Sequence, residues 1–533
     1  MGERAYERAC ALLIAGLLVL AALIFRDYGI SNDEEVQHRY GELIVAYYQS
    51  GFADRALFGY KNLYLYGGLF DIAAVLLAKI LPLDVYALRH LLSAVVGVAG
   101  IAATAAVARL VAGARAALIA ALALALCGPW FGAMFNHTKD IPFAAAMIGA
   151  LWFLLRLSRD LPAPRFSDVI GFGLMLGAAT GLRAMGLLLV GYAGLAVLIH
   201  LPRPAAWSAK ETASAASFAL RSGLRFLPAF ALGYLIMIAA WPWAAQAPLN
   251  PLHAIFSFAH FHYEIRTIVA GHVYKMADVP WWYVPFYLAI KSPLLVLGGA
   301  AAALVFAIWP RSRPRDEDAR RRRREIAFIA FVAAFPVVCE AVTEGPAFTG
   351  MRHFLFVLPP LAVLCGVGFD AMLGALAPWR AARMAATAAL IGALTWNASL
   401  LVRLHPYEYM FYNELVGGLH GAERRYEMDY WVNMMPEAVG ALAAYLNLAQ
   451  ETSPRSYTVG VCGEKFSFDN YADKRLRASP GWLEADFFIA PTHMNCDRLV
   501  DGRVIARIER LGVTIGVVKD RRGISQKALG RAF

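Results

Sequence analysis

The chain has 533 residues, of which 59% are hydrophobic and 17% charged, with a formal net charge of +11. Soluble domains carry about 25% charged residues, so this deficit, with repeated apolar runs, excludes an ordinary soluble globule and indicates a polytopic membrane protein. Excess positive charge in such a chain collects in cytoplasmic loops, so it is not read as a nucleic-acid surface.

Arg4 and Arg8 precede an apolar run from Cys10 to Phe25 with no small-residue cleavage site behind it. This is read as an uncleaved first span with a cytoplasmic N-terminus. Residues 26–88 then form a long external loop that opens on Ser31-Asn32-Asp33-Glu34-Glu35. A charge run of this kind is by default a solvated face. Further along, Leu63-Tyr64-Leu65-Tyr66-Gly67-Gly68 leads into an apolar stretch ending near Leu81. That stretch, 65–81, could span or lie at the interface with Asp71 and Lys79 in water.

Charge parity decides between the two. With 65–81 at the interface, the next spans fall at 90–108, 116–131, 141–155, 169–182, 184–200, 226–244, 284–309, 326–343, 353–372 and 384–402. The cytoplasmic loops then hold Arg109 and Arg115; Arg156, Arg159 and Arg165; Arg203, Lys210, Arg221 and Arg225; Arg311 to Arg324; and Arg380 and Arg383. A spanning 65–81 would move all of them outside, against the positive-inside rule. The expectation is about 11 spans, N-terminus inside and C-terminus outside, with 169–182 and 184–200 short of the usual length.

Outside the membrane this leaves the 26–88 loop, the segment Phe135 to Pro142, an aromatic- and His-rich piece at 245–283, and everything after Leu404. The last part has no spanning run. Pro436 to Leu448 reads as a helix, and 457–461, 486–490, 504–508 and 513–518 read as short strands, so a small α/β domain is expected there. Cys462 and Cys496 both lie in it, where a bridge between them could persist. Cys10, Cys127, Cys339 and Cys365 lie in or near spans and read as apolar fillers.

On this topology Asp33, Glu34, His137, Lys139, Asp140, Arg183, Lys291 and Arg352 all fall near the outer ends of spans. Each has a plain alternative: Arg183 could cap a turn, Lys291 could snorkel, Arg352-His353 could anchor at the interface, and Asp140 before Pro142 could start a helix. Their clustering carries more weight, since charges this close to hydrocarbon tend to face a cavity and pair. Two acids with several cations suit a reaction that deprotonates a nucleophile and releases an anionic leaving group.

The ordered set Asp33-Glu34, Asn136-His137-Thr138-Lys139-Asp140-Ile141-Pro142 and Arg352-His353 before the Leu/Pro-rich Phe354 to Pro360 resembles the GT-C superfamily of membrane glycosyltransferases. More narrowly it is similar to the protein O-mannosyltransferase and lipid A aminoarabinose-transferase branch. The resemblance covers residues 1 to about 405 and implies a mainly α, GT-C-type catalytic membrane domain over 1–404. The α/β extracytoplasmic domain would occupy 405–533. It implies a bacterial inner-membrane enzyme that takes a sugar from a polyprenyl-phosphate donor and passes it, with inversion, to a hydroxyl on a lipid, protein or glycan. Asp33 is the expected base, Glu34 supports it and Asp140 orients acceptor or base. Lys291, Arg352 and His353 are the expected phosphate ligands, with Lys139 and Arg183 behind them. Members differ in metal use; Asp33 and Asp140 could share a divalent ion through oxygen ligands, but nothing in the sequence requires one. Two rivals are a transporter or flippase, against which stands the absence of an internal repeat, and a non-catalytic assembly protein whose tail does the binding.

Overall fold

The computed structural model describes residues 2–202, 208–259, 264–308, 317–449 and 456–524. The chain begins with helix α1 (Glu3–Ile24), whose apolar surface is largely exposed, as a lipid-facing span requires. The first loop folds into α2 (Glu34–Gln49) and the ten-residue α3 (Leu69–Ala78). The latter is too short to span and agrees with an interfacial 65–81. Lys79 is exposed there, but Asp71 is not in water as expected. It is 2% exposed and paired with Arg89 at 2.8 Å, because α3 packs its first turn against α2 and α4.

Next come α4 (Val85–Ala112), α5 (Ala114–Ala125), α6 (Gly128–Asn136), α7 (Asp140–Arg159), α8 (Phe166–Thr180), α9 (Leu188–Ile199) and α10 (Ala209–Ala240). Asp84 caps α4 by accepting from the N–H groups of Tyr86 and Ala87, both at 3.0 Å. Gly113, at φ 92°, makes the reversal into α5. Short helices α11 (Pro242–Gln246) and α12 (Asn250–Ala259) and the hairpin β1 (Arg266–Val269)–β2 (His272–Lys275) form an external segment. His260 and His262 of that segment lie outside the described residues. The membrane part closes with α13 (Tyr283–Lys291), α14 (Leu294–Ile308), α15 (Glu317–Thr343), α16 (Leu358–Ala375) and α17 (Arg380–Leu404).

Among the described residues seven helices are long and apolar enough to cross a membrane, and nine spans result if two bent pairs each count as one. The pairs are α5–α6, bent by 64°, and α13–α14, bent by 109° at Ser292-Pro293. The other two expected spans correspond to α8 and α9, at 15 and 12 residues. The chain is an integral membrane protein. Its basic loops gather at one end: Arg109 pairs with Glu7, Arg115 with Asp370 at 2.7 Å, Arg156 with Asp168 at 2.9 Å and Arg159 with Glu325 at 2.6 Å. Since α7 carries Arg159 at that end and Asp140 at the other, the acidic cluster lies across the membrane from the basic loops. Arg203, Arg311, Arg313 and Arg315 lie outside the described residues.

After α17 the chain forms α18 (Gly418–Ala422), α19 (Met435–Leu448) and α20 (Lys465–Tyr471) around a small mixed sheet. Its strands are β3 (Tyr457–Val461), β4 (Leu476–Ser479), β5 (Phe487–Pro491), β6 (Arg503–Arg510) and β7 (Val513–Asp520), in the order β4-β3-β5-β7-β6. β3 runs parallel to β4 and β5, and β7 antiparallel to β5 and β6. Cys462 and Cys496 are disulfide-bonded. This unit sits directly on the chain before Asp33: Ile30 N–H donates to the Tyr471 hydroxyl at 3.1 Å, and Ser467 Oγ donates to the Ile30 carbonyl at 3.1 Å.

Candidate active site

Asp33 is the N-cap of α2 and Glu34 its first residue, and adjacent positions on a helix point about 100° apart. Glu34 turns inward and Asp33 outward. Glu34, 1% exposed, accepts from the Ser31 N–H at 2.8 Å and faces His90 Nε2 at 3.0 Å. Behind it Arg89 reaches Asp71 at 2.8 Å and Thr138 Oγ1 at 3.1 Å, and Thr138 donates to Gln37 at 2.9 Å. A buried network this connected holds α2, α3, α4 and the turn before α7 in one arrangement. The Asp33 side chain remains 47% exposed, with Arg352 as its partner at 2.9 Å.

Asp140 is the first residue of α7, and its N–H donates to the His137 carbonyl at 3.0 Å. Arg183, in the extended link after α8, donates to Oδ1 of Asp140, and Arg352 Nε donates to Oδ2 at 3.1 Å. Arg352 therefore joins both carboxylates, Nε on Asp140 and Nη2 on Asp33. The glycines at 67 and 68 explain why the first loop reaches this point. A Cβ on Gly67 would run into the Gly181 carbonyl. Gly68 N–H donates to Ala240 O at 2.9 Å and Leu69 N–H to Gly181 O at 3.1 Å. The preceding Tyr66 thereby lies beneath Lys139, whose Nζ is 4.3 Å from the ring centroid. Burial pushes the Lys139 ammonium down to about 8.

A cleft lies beside this array, lined by His137, Lys291, Met351, Arg352, Tyr409 and Tyr430 among others. Lys291 ends α13 just before the bend. Its Nζ donates to the Tyr409 carbonyl at 2.9 Å and sits 3.9 Å from the Tyr412 ring centroid. His137 is held from both sides. Nε2 receives the Trp431 indole N–H at 2.9 Å and the Tyr430 hydroxyl at 2.6 Å, while Nδ1 faces the Asn136 amide oxygen. An indole can only donate, so the proton of His137 sits on Nδ1. Burial lowers this imidazole to about 3, so it is uncharged.

Of the residues singled out in the sequence, Asp33, Asp140, Arg183 and Arg352 form one continuous chain of ion pairs. Lys139 stands beside it and Lys291 lines the cleft with Arg352. His353 packs edge-on against Phe348 at 4.8 Å, within electrostatic reach of Asp140, Arg183 and Arg352, and Glu34 is turned away from the cleft. Where the sequence allowed a divalent ion between Asp33 and Asp140, the two share Arg352. Among the described residues no three His, Cys, Asp or Glu side chains come together to hold a metal ion.

Residues 74–222 match the family described as dolichyl-phosphate-mannose-protein mannosyltransferase. This match bears out the resemblance to membrane glycosyltransferases of the GT-C type. The matched stretch includes His137, Lys139, Asp140 and Arg183; Asp33, Lys291 and Arg352 lie outside it. No curated protein sequence matches the chain. Among solved structures it is similar to ArnT from Cupriavidus metallidurans in the apo state, at 17% identity over 96% of this chain and 97% of that one, with a TM-score of 0.48. It is also similar to the oligosaccharyltransferase of Archaeoglobus fulgidus in the apo form, at 13% identity over 90% of this chain and 69% of that one, with a TM-score of 0.44.

The sequence reading missed the part that the chain after Leu404 has in the cleft. Tyr409, Tyr412, Tyr430 and Trp431 all reach residues discussed above. Their only sequence signal is the density of aromatics in Tyr407 to Tyr412 and Tyr426 to Trp431, with no periodicity to place them on an element.

Proposed function

We propose that this protein transfers a sugar from a polyprenyl-phosphate donor to an acceptor hydroxyl at the outer face of a bacterial inner membrane, with inversion. The observation that carries the reading is the cleft itself: two cations, Lys291 and Arg352, line it, and Arg352 ends on the half-exposed carboxylate of Asp33.

In this reading the donor phosphate lies against Lys291 and Arg352. A guanidinium offers a fixed fork of donors for such an oxyanion. Asp33 is the carboxylate with room for an acceptor. It takes the hydroxyl proton as the acceptor oxygen forms its bond to the anomeric carbon, and the bond from that carbon to the phosphate oxygen breaks on the opposite face. Polyprenyl phosphate leaves as an anion and is met by the same cations. Asp140 acts through Arg352 and Arg183, fixing the guanidinium that links base to leaving group. Glu34 supports Asp33 from inside, by fixing the turn that faces Asp33 outward. Lys139 adds positive charge beside the pair. The acceptor belongs to lipid, protein or glycan, and residues 1–404 and 405–533 are the units that share the work.

The test is direct. Purified protein in lipid nanodiscs, given a polyprenyl-phosphate sugar and candidate acceptors, should consume donor and release polyprenyl phosphate with formation of the glycosylated acceptor. A transporter would move the donor across a vesicle bilayer without changing it, and that outcome would replace the transferase reading.

A further inference from the structure

The turn at Asp429–Met434 comes from the chain that follows the last span, yet it stands inside the charged site. It is braced from within: Asp429 accepts the Tyr409 hydroxyl and the N–H groups of Asn433 and Met434, each N–H at 2.9 Å. The brace presents two aromatic residues to the membrane part. The Trp431 side chain, in a residue 5% exposed, lies with its ring 4.1 Å from the Arg352 guanidinium carbon. Its N–H is spent on His137, which also receives the Tyr430 hydroxyl. One indole therefore touches the guanidinium through its face and the histidine through its edge.

This arrangement constrains Arg352 on sides that the acids leave open. Asp140 and Asp33 fix Nε and Nη2, but two bonds along one edge leave the guanidinium plane free to tilt. A ring face held against the guanidinium carbon restrains that tilt and favours the cation. His137 lines the same cleft as Lys291 and Arg352. With two donors converging on Nε2 it can only accept there, so it adds no positive charge to repel them.

We propose that Trp431 is a positioning residue of the transfer site: its ring face sets the Arg352 guanidinium toward the cleft, so that the segment after the last span completes the site. The proposal rests on the reading of Arg352 as a ligand of the donor phosphate.

A double-mutant cycle tests it. Full-length Trp431→Leu, Trp431→Phe, Arg352→Ala and the Trp431→Leu/Arg352→Ala double variant are titrated with polyprenyl phosphate in nanodiscs, with thermal unfolding recorded for each. Trp431→Leu should weaken binding about 2- to 30-fold, the range of a stacked cation. Trp431→Phe, which keeps a ring face, should recover most of the loss. In the Arg352→Ala background Trp431→Leu should cost nothing further, which a general structural role would not produce. Equal losses in both backgrounds, or no loss from Trp431→Leu alone, overturn the proposal. If the leucine variant does not fold, Trp431→Met takes its place in the cycle. A wild-type protein that binds no polyprenyl phosphate refutes the donor reading itself. The cycle is then read from thermal unfolding in nanodiscs without polyprenyl phosphate, where coupling of Trp431 to Arg352 upholds the positioning and its absence overturns it.

Discussion

Replacing Glu34 by Gln separates a supporting acid from a reacting one. Glu34 is 1% exposed, accepts from Ser31 N–H at 2.8 Å and lies 3.0 Å from His90 Nε2 and 4.0 Å from Arg89 Nε. Gln keeps the size and can still accept from Ser31, but it removes a negative charge from beside a fully buried guanidinium. Breaking a buried pair costs about 3–5 kcal/mol, and one charge-assisted hydrogen bond about 1.5–3 kcal/mol. Arg89 keeps Asp71 at 2.8 Å, so the lower range applies and a loss of about 1.5–3 kcal/mol is expected. Denaturant or thermal unfolding in nanodiscs measures it, with turnover normalised to the folded fraction. The variant should be less stable, yet each folded molecule should turn over far closer to the wild-type rate than Asp33→Asn does. Unchanged stability together with a turnover loss equal to that of Asp33→Asn would refute this division and put Glu34 in the chemistry.

Arg352→Ala should weaken binding of the polyprenyl-phosphate donor more than use of the acceptor, and Arg352→Lys should recover only part, because a lysine cannot reproduce paired contacts to Asp33, Asp140 and phosphate; unaltered donor affinity would reduce Arg352 to an anchor. Lys139, lowered by burial to about 8, is charged below that pH and loses its charge above it. Activity should therefore fall through an alkaline limb near pH 8, and Lys139→Arg should move that limb upward; a limb that does not move assigns it to another group. Reporter fusions after Arg383 and at Phe533 should report inside and outside, since the basic loop residues share one membrane end; a fusion near Arg320 reporting outside would invert the topology.

Much of this was legible in the chain because it depends on local pattern. Apolar runs marked the spans, and the strands at 457–461 and 513–518 alternate or run apolar between turn residues. The pair Cys462–Cys496 stood in a region without spans. The limits are equally local in origin. Leu476–Ser479 was not read as a strand because Leu-Arg-Ala-Ser is short and carries little β-branched character. Asp71 looked solvated because its partner Arg89 is on another helix, and a buried pair leaves no trace in the neighbouring sequence. The contacts of Tyr430 and Trp431 with His137 span 293 and 294 positions. No periodicity reports a contact made at that separation, so the chain after Leu404 gave no sign that it enters the site. The acids themselves showed the opposite balance: Asp33 and Glu34 could be picked out, but only the inward turn of Glu34 distinguishes their parts.

The central claim is that Asp33 removes the acceptor proton. General-base assistance contributes about 100- to 10,000-fold, and Asp33→Asn keeps the size while losing the ability to take a proton. Because the Asp33 side chain is 47% exposed, the substitution should leave unfolding nearly unchanged. The measurement is the transfer rate of Asp33→Asn beside Glu35→Gln, whose side chain is exposed and outside the site, each with its thermal unfolding and donor affinity. The account predicts a fall of at least about 100-fold for Asp33→Asn, with fold and donor binding intact, and little change for Glu35→Gln. Equal mild losses in the two variants, or a loss at Asp33 that tracks unfolding, would contradict it.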